Sequence, residues 1–257
     1  MVLIPLIGLT QSKKAIKFFN SGEDSFYKSN YQDAIESFSS AIEKFPDYYE
    51  AFNNRGNSYA NIGEFKNAIT DYNKAIEIDP KDADAYYNRG YTYRNMGEFE
   101  NALRDFNKAI ELNPNDLESY VNKGEIFKEI GEYKKAENEF SKSISLASNN
   151  TGLYFNRGCC NYYLKDYRGA LVDFNKAIEL KPDFTKAYYY RGLSKFDLKD
   201  YKGALVDYDK AIELDPNNAD AYNNRGLSKY YLKVYLGAIV DFNKAIELKP
   251  DFTEAYF

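Results

Sequence analysis

The chain has no histidine. That removes the commonest general base and the commonest metal ligand together. Tryptophan is also absent, and there are two methionines and two cysteines. Cys159 and Cys160 are adjacent, so they cannot staple distant segments, and their scarcity fits a reducing, cytoplasmic setting. Basic blocks are missing: the net charge is −5 and the signs are interspersed, which disfavours nucleic acid as a partner. Long apolar runs are missing as well. The longest, residues 1–10, is too short to span a bilayer. As a leader it lacks a positive residue ahead of it and a small-x-small site after it; Lys13, Lys14 and Lys17 come later. Residues 1–14 therefore read as an extended apolar segment covering the residues from 15 onward. No phosphate-cradling glycine loop, metal-ligand spacing or nucleophile beside a base is present, so no cofactor, metal site or catalytic residue is expected and the chain reads as a non-enzyme.

What is present is a period. Gly22, Gly56, Gly90, Gly124, Gly158, Gly192 and Gly226 are spaced 34 residues apart. Aligned on them, the chain divides into units 15–48, 49–82, 83–116, 117–150, 151–184, 185–218 and 219–252, with the glycine at slot 8 of each. Slot 20 is alanine in all seven units. Slot 27 is alanine in six, with Ser143 in the fourth, and slot 32 is proline in six, with Ser148 in the fourth. Small residues at slots 8, 20 and 27 let two helices approach closely, and the proline stops the second helix. Residues 253–257 repeat the start of a unit, as an eighth first helix. No polar capping helix follows, so a truncated chain or an end covered by another subunit is expected.

This spacing resembles the tetratricopeptide repeat over residues 15–252, with Phe or Tyr at slot 4 where the family favours Trp. The resemblance implies an all-α, right-handed superhelical solenoid of helix-turn-helix repeats. Helix A, about slots 2–15, would line the concave face, and helix B, about slots 18–31, the convex side. It also implies a scaffold or adaptor that binds a protein or extended peptide. A regulatory arm of a larger enzyme or assembly, and an array self-associating end to end, are the alternatives.

The register exposes correlations. Slot 7 is Arg or Lys wherever slot 23 is Asp or Glu, and both are serine in the first unit (Ser21, Ser37). An ion pair joining the two helices is expected in six repeats. Slot 15 is Gly63, Gly97 and Gly131 in units two to four but Lys165, Lys199 and Lys233 in the last three, where a different or less comfortable turn is expected. The shift divides the array near residues 148–152.

Seventeen per cent of residues are aromatic, and slots 4, 17 and 24, all Phe or Tyr, account for 21 of those 44 rings as core. The rest are unevenly spread, and most of those at the groove-facing slots 2, 5, 6, 9, 12 and 13 fall in the last three units. Phe155, Tyr162, Tyr163, Tyr189, Tyr190, Phe196, Tyr230 and Tyr231 form an expected aromatic wall for peptide binding. Slot 6 supplies Asn54, Asn88, Asn122, Asn156 and Asn224, amides able to donate to and accept from a peptide backbone. They are similar to the asparagine ladder in the repeat arm of nucleocytoplasmic sugar transferases. The groove charges sum to mildly acidic, which argues against an anionic peptide tail. The lysine and asparagine clamp of chaperone-binding family members is absent. Cys159 should face the groove and is read as structural.

Overall fold

The computed structural model describes residues 6–250, with side chains from residue 13 onward. Residues 253–257, the expected start of an eighth helix A, lie outside the described residues. Among the described residues there are fourteen helices and no strand. They are α1 (Leu6–Tyr27), α2 (Tyr31–Lys44), α3 (Tyr49–Asn61), α4 (Phe65–Ile78), α5 (Ala83–Asn95), α6 (Phe99–Leu112) and α7 (Leu117–Glu129). The others are α8 (Tyr133–Leu146), α9 (Thr151–Tyr163), α10 (Tyr167–Leu180), α11 (Thr185–Asp197), α12 (Tyr201–Leu214), α13 (Ala219–Tyr231) and α14 (Tyr235–Leu248). Odd helices are A and even helices are B, over slots 1–13 and 17–30, within about two residues of the sequence expectation. The first helix is a correction: the apolar segment is helical from Leu6, continuous with helix A of the first repeat, rather than extended.

The chain forms two compact units, residues 1–126 and 127–257, with the division inside the range of α7 rather than near 148–152. Within the first unit α1 pairs with α2, α3 with α4 and α5 with α6, and α2 packs on α3 and α4 on α5. Within the second, α9 pairs with α10, α11 with α12 and α13 with α14, and each pair packs on the next. Successive A helices also touch, α3 on α5 in the first unit and α11 on both α9 and α13 in the second, so each unit presents a continuous helix-A surface.

The slot-8 glycines set this packing. A Cβ on Gly192 would sit 2.6 Å from Tyr208 Cε1, and one on Gly56 2.6 Å from Tyr72 Cε1. The ring at slot 24 therefore lies directly against the helix-A backbone, and slots 20 and 27 of helix B are buried. Helix B ends before slot 31, whose backbone is extended, as at Asp79, Asn113, Lys181 and Asp215. A following proline clashes with a helical predecessor. Ala147 ends α8 in a similarly open conformation without a proline after it, so packing also enforces the stop.

The A–B turn decides between the two expectations for slot 15: the lysines take the less comfortable turn, not a different one. Gly63, Gly97 and Gly131 have φ of 80°, 76° and 81°, and Lys165, Lys199 and Lys233 have φ of 62°, 65° and 64°. Ser29 takes 61° in the first repeat. The same left-handed turn is used with or without glycine, and the lysines accept a conformation costing a side-chain-bearing residue about 1–2 kcal/mol.

Arginine at slot 7 does pair with aspartate at slot 23. Arg55 Nε and Nη2 each donate to Asp71 at 2.7 Å, and Arg89 does the same to Asp105. Arg157, Arg191 and Arg225 hold Asp173, Asp207 and Asp241 in the same two-pronged way. Lys123 and Glu139, the sixth expected pair, belong to different units; the Lys123 ammonium lies 5.9 Å from the Tyr120 ring. Each arginine also donates from Nη1 to slot 25 of the preceding repeat: Ser39, Asn73, Ser141, Asn175 and Asp209. It thus ties three helices, and the bidentate fork explains why lysine is not equivalent there. The carboxylates are buried, so the pairing is structural rather than a row reaching for a ligand.

Candidate functional site

The helix-A surface of the second unit gathers the aromatic side chains, but as two groups rather than one wall. In the first, Phe155 lies 5.6 Å from Tyr190 in an edge contact, and Tyr162 lies 6.1 Å from Tyr190 and 5.6 Å from Tyr163. Tyr189 meets Tyr190 at 5.6 Å, and Tyr163 stacks on Tyr133 at 4.7 Å and 14°. In the second, Phe196 contacts Tyr201 and Tyr231, and Tyr231 stacks on Tyr201 at 4.8 Å and 9°. Tyr230 packs edge-on against Tyr231 and Tyr235. No ring contact joins the two groups among the described residues. The stacking rule is common to both: a slot-13 tyrosine lies flat on the slot-17 tyrosine of the preceding repeat, a pairing that slot counting did not reveal.

The first group lines a cleft of about 480 Å³. Phe155, Cys159, Tyr163, Tyr189 and Tyr190 contribute from α9 and α11, Tyr133 from α8, and Lys128, Lys186, Asn218 and Asp220 supply its polar groups. Tyr163 keeps 48% of its surface exposed here, while Phe155, Tyr189 and Tyr190 are half-buried. Burial raises the Tyr189 hydroxyl to about 12, with the Asp220 charge acting the same way and the amide of Asn224 against it. Burial likewise raises Tyr162, helped by its hydroxyl's hydrogen bond to Asp197. These tyrosines are neutral donors across the physiological range. Cys159 does face the cleft, but burial lifts its thiol to about 12, and the charges of Lys128 and Lys186 only partly oppose that. A thiol of that kind is not a nucleophile at neutral pH.

The slot-6 asparagines are engaged more than the sequence suggested. Asn88 donates to Asn53 at 3.0 Å, and Asn224 donates to the Tyr189 hydroxyl at 3.1 Å, each reaching the preceding helix A. Asn122 is buried, donates to the Glu118 carbonyl and accepts from Arg94. Asn156 accepts from Lys128 at 2.7 Å. The slot-12 cations Arg94 and Lys128 were missed as partners of these amides because they sit one repeat earlier. Asn54 lines a smaller cavity of about 170 Å³ with Glu23, Phe26 and Asn57.

The first unit carries a second cleft, of about 510 Å³, that includes the expected slot-6 amide of Asn88. Asn57, Asn61, Asn88 and Asn95 line it beside Tyr72, Tyr87 and Tyr91, and no charged residue reaches it.

Tetratricopeptide repeat models match residues 83–116, 153–184, 106–138 and 219–252. A further TPR repeat model matches residues 57–97 and 192–233. This chain belongs to the tetratricopeptide repeat family. The helix-turn-helix fold of the family is a protein-interaction scaffold, and its members are in general not catalysts. Among solved structures it is similar to YrrB, described as a TPR protein with an unusual peptide-binding site: 29% identity, 72% of this chain and 95% of that one, TM-score 0.65. MamA is similar at 26% identity over 63% of this chain and 94% of that one, TM-score 0.61. The C-terminal part of a TPR repeat-containing protein from Cytophaga hutchinsonii shares the fold over 92% of this chain and 97% of that one, at 22% identity and TM-score 0.76. No curated protein matches the chain. No helix among the described residues is long and apolar enough to cross a membrane.

Proposed function

We propose that this TPR chain is an adaptor that binds a protein segment on the helix-A surface of its second unit, anchored in the aromatic cleft between α9 and α11. The observation that carries this is the cleft itself. Slots 8, 20, 24 and 27 keep their residue class in every repeat and build the scaffold, whereas rings at slots 5, 6 and 13 are found only in some repeats. They nevertheless converge on a half-open volume of about 480 Å³. Rigid amphipathic rings around such a volume are what a peptide anchor residue needs. The slot-6 amides act beside it with the capacity they keep: Asn156 offers its two N–H donors after its oxygen accepts from Lys128. The likeness to YrrB lends support, since that relative carries a peptide-binding site.

Random dodecapeptides displayed on phage, selected against the full chain, provide the test. Recovered peptides should lose binding to a Tyr163→Ala/Tyr189→Ala variant whose helical circular dichroism matches the parent. Peptides indifferent to both substitutions would remove the cleft from the function.

A further inference from the structure

We infer that the aromatic cleft of the second unit selects a segment in which an acidic side chain stands next to an apolar one. The inference rests on the peptide-binding reading above and names the ligand chemistry of that site.

Averaged over all helix-A slots, the surface is mildly acidic, which pointed away from anionic partners. The cleft is not average. It holds two ammonium groups, Lys128 and Lys186, and one carboxylate, Asp220. Neither lysine forms an ion pair with any described carboxylate. Lys128 spends one N–H on Asn156, and Lys186 is exposed. Almost all other cations of the second unit that point into structure are committed: Arg157, Arg191 and Arg225 to buried aspartates, and Lys195 and Lys229 to two of the same aspartates. The cleft lysines are therefore free of ion pairs and stand among aromatic rings, so an incoming carboxylate has no existing salt bridge to displace.

Both lysines line the cleft together with Cys159, Tyr189 and the single carboxylate of Asp220, so cations outnumber anions there two to one. A carboxylate docked in this cleft meets an ammonium from each of two helices, Lys128 on α7 and Lys186 on α11. Phe155, Tyr163 and Tyr190 line the same cleft, so the neighbouring residue of the ligand meets rings. Apolar contact supplies affinity there and the carboxylate sets the register. The first unit's cleft, with amides and no charged residue, has no such preference.

The test uses the phage-selected dodecapeptides, made synthetically and measured by fluorescence anisotropy against the full chain. Those that depend on Tyr163 and Tyr189 should carry Asp or Glu beside an apolar residue. Lys186→Glu, at an exposed position, should weaken them about 10- to 100-fold, the scale of one hydrogen bond to a charged group. Changing the peptide's acid to Lys should restore binding to Lys186→Glu and abolish it to the parent. Raising NaCl from 50 to 500 mM should weaken the parent complex. Peptides that need the tyrosines yet ignore Lys186→Glu and salt overturn the charge selection and leave the peptide-binding reading intact. No peptide that needs the tyrosines overturns both.

Discussion

Tyr72 and Tyr208 occupy the same slot of two repeats, and the same substitution should move stability in opposite directions. Both rings are buried against a slot-8 glycine. The Tyr72 hydroxyl donates to Asn57 Oδ1 at 2.8 Å. The Tyr208 hydroxyl is buried with no hydrogen-bond partner, because slot 9 of its repeat is Leu193 where Tyr72 has Asn57. An unpaired buried hydroxyl costs about 1–3 kcal/mol, and a made hydrogen bond contributes about 1 kcal/mol net. Tyr208→Phe should therefore stabilise the protein by about 1 kcal/mol, after a few tenths lost to the vacated volume. Tyr72→Phe should destabilise it by a similar amount. The difference, about 2 kcal/mol, corresponds to a urea midpoint separation near 1 M for a slope of about 2 kcal/mol/M. Urea unfolding followed by circular dichroism reads both. A third variant closes the argument: in a Leu193→Asn background Tyr208 gains an acceptor, and Tyr208→Phe should then cost stability, a coupling that a double-mutant cycle isolates. If Tyr208→Phe lowers the midpoint in the parent as Tyr72→Phe does, the account of slot 9 is wrong.

Two further outcomes follow from the buried charges and the buried acids. Arg89→Met leaves Asp105 without its cation, whereas Arg191→Met leaves Asp207 still bound to Lys195 at 2.8 Å, so urea midpoints should show the first costing about 3–5 kcal/mol and the second clearly less. Burial raises Cys159 and Cys160 to about 12 and Tyr87 and Tyr189 to about 12, so these acids release protons more readily when unfolded. Stability should hold below pH 9 and fall between pH 9 and 12, and a disulfide reagent at pH 8 should label the thiols only after urea is added.

The scaffold was legible because its defining contacts lie within one repeat and recur along the chain. Helix limits, the glycine under the slot-24 ring and the slot 7 to slot 23 pair all show as correlations inside a 34-residue window. Two features escaped, one because a side chain of different type replaces the usual one at its slot, the other because it joins neighbouring repeats. Lys195 and Lys229 back the slot-23 aspartates from slot 11, where Tyr59 and Tyr93 stand in earlier repeats. Arg94 and Lys128 reach forward to a slot-6 amide 28 residues on. For the left-handed lysines, residue type left a changed turn and a strained one both open, and the strained one is adopted. A rule that compared slot 12 of each repeat with slot 6 of the next would have found the second of these.

The same division explains why a charge sum over the whole array does not describe one cleft. Fixed slots hold the repeat together, so variation is confined to a few helix-A positions, and each cleft draws those positions from neighbouring helices. Its chemistry is then decided by juxtapositions that a sum over the array erases. The first unit places Asn57, Asn61, Asn88 and Asn95 around one volume, and the second places Lys128 and Lys186 around another, although both surfaces arise from one repeat pattern. At cleft dimensions the governing interactions act over a few ångströms, well inside the screening length of about 8 Å. An acidic residue docked in the second unit therefore responds to those two ammonium groups and to Asp220, and hardly to the −5 of the whole chain. Net charge governs long-range approach to this protein; the selection of a bound segment belongs to the slot-12 and slot-2 lysines.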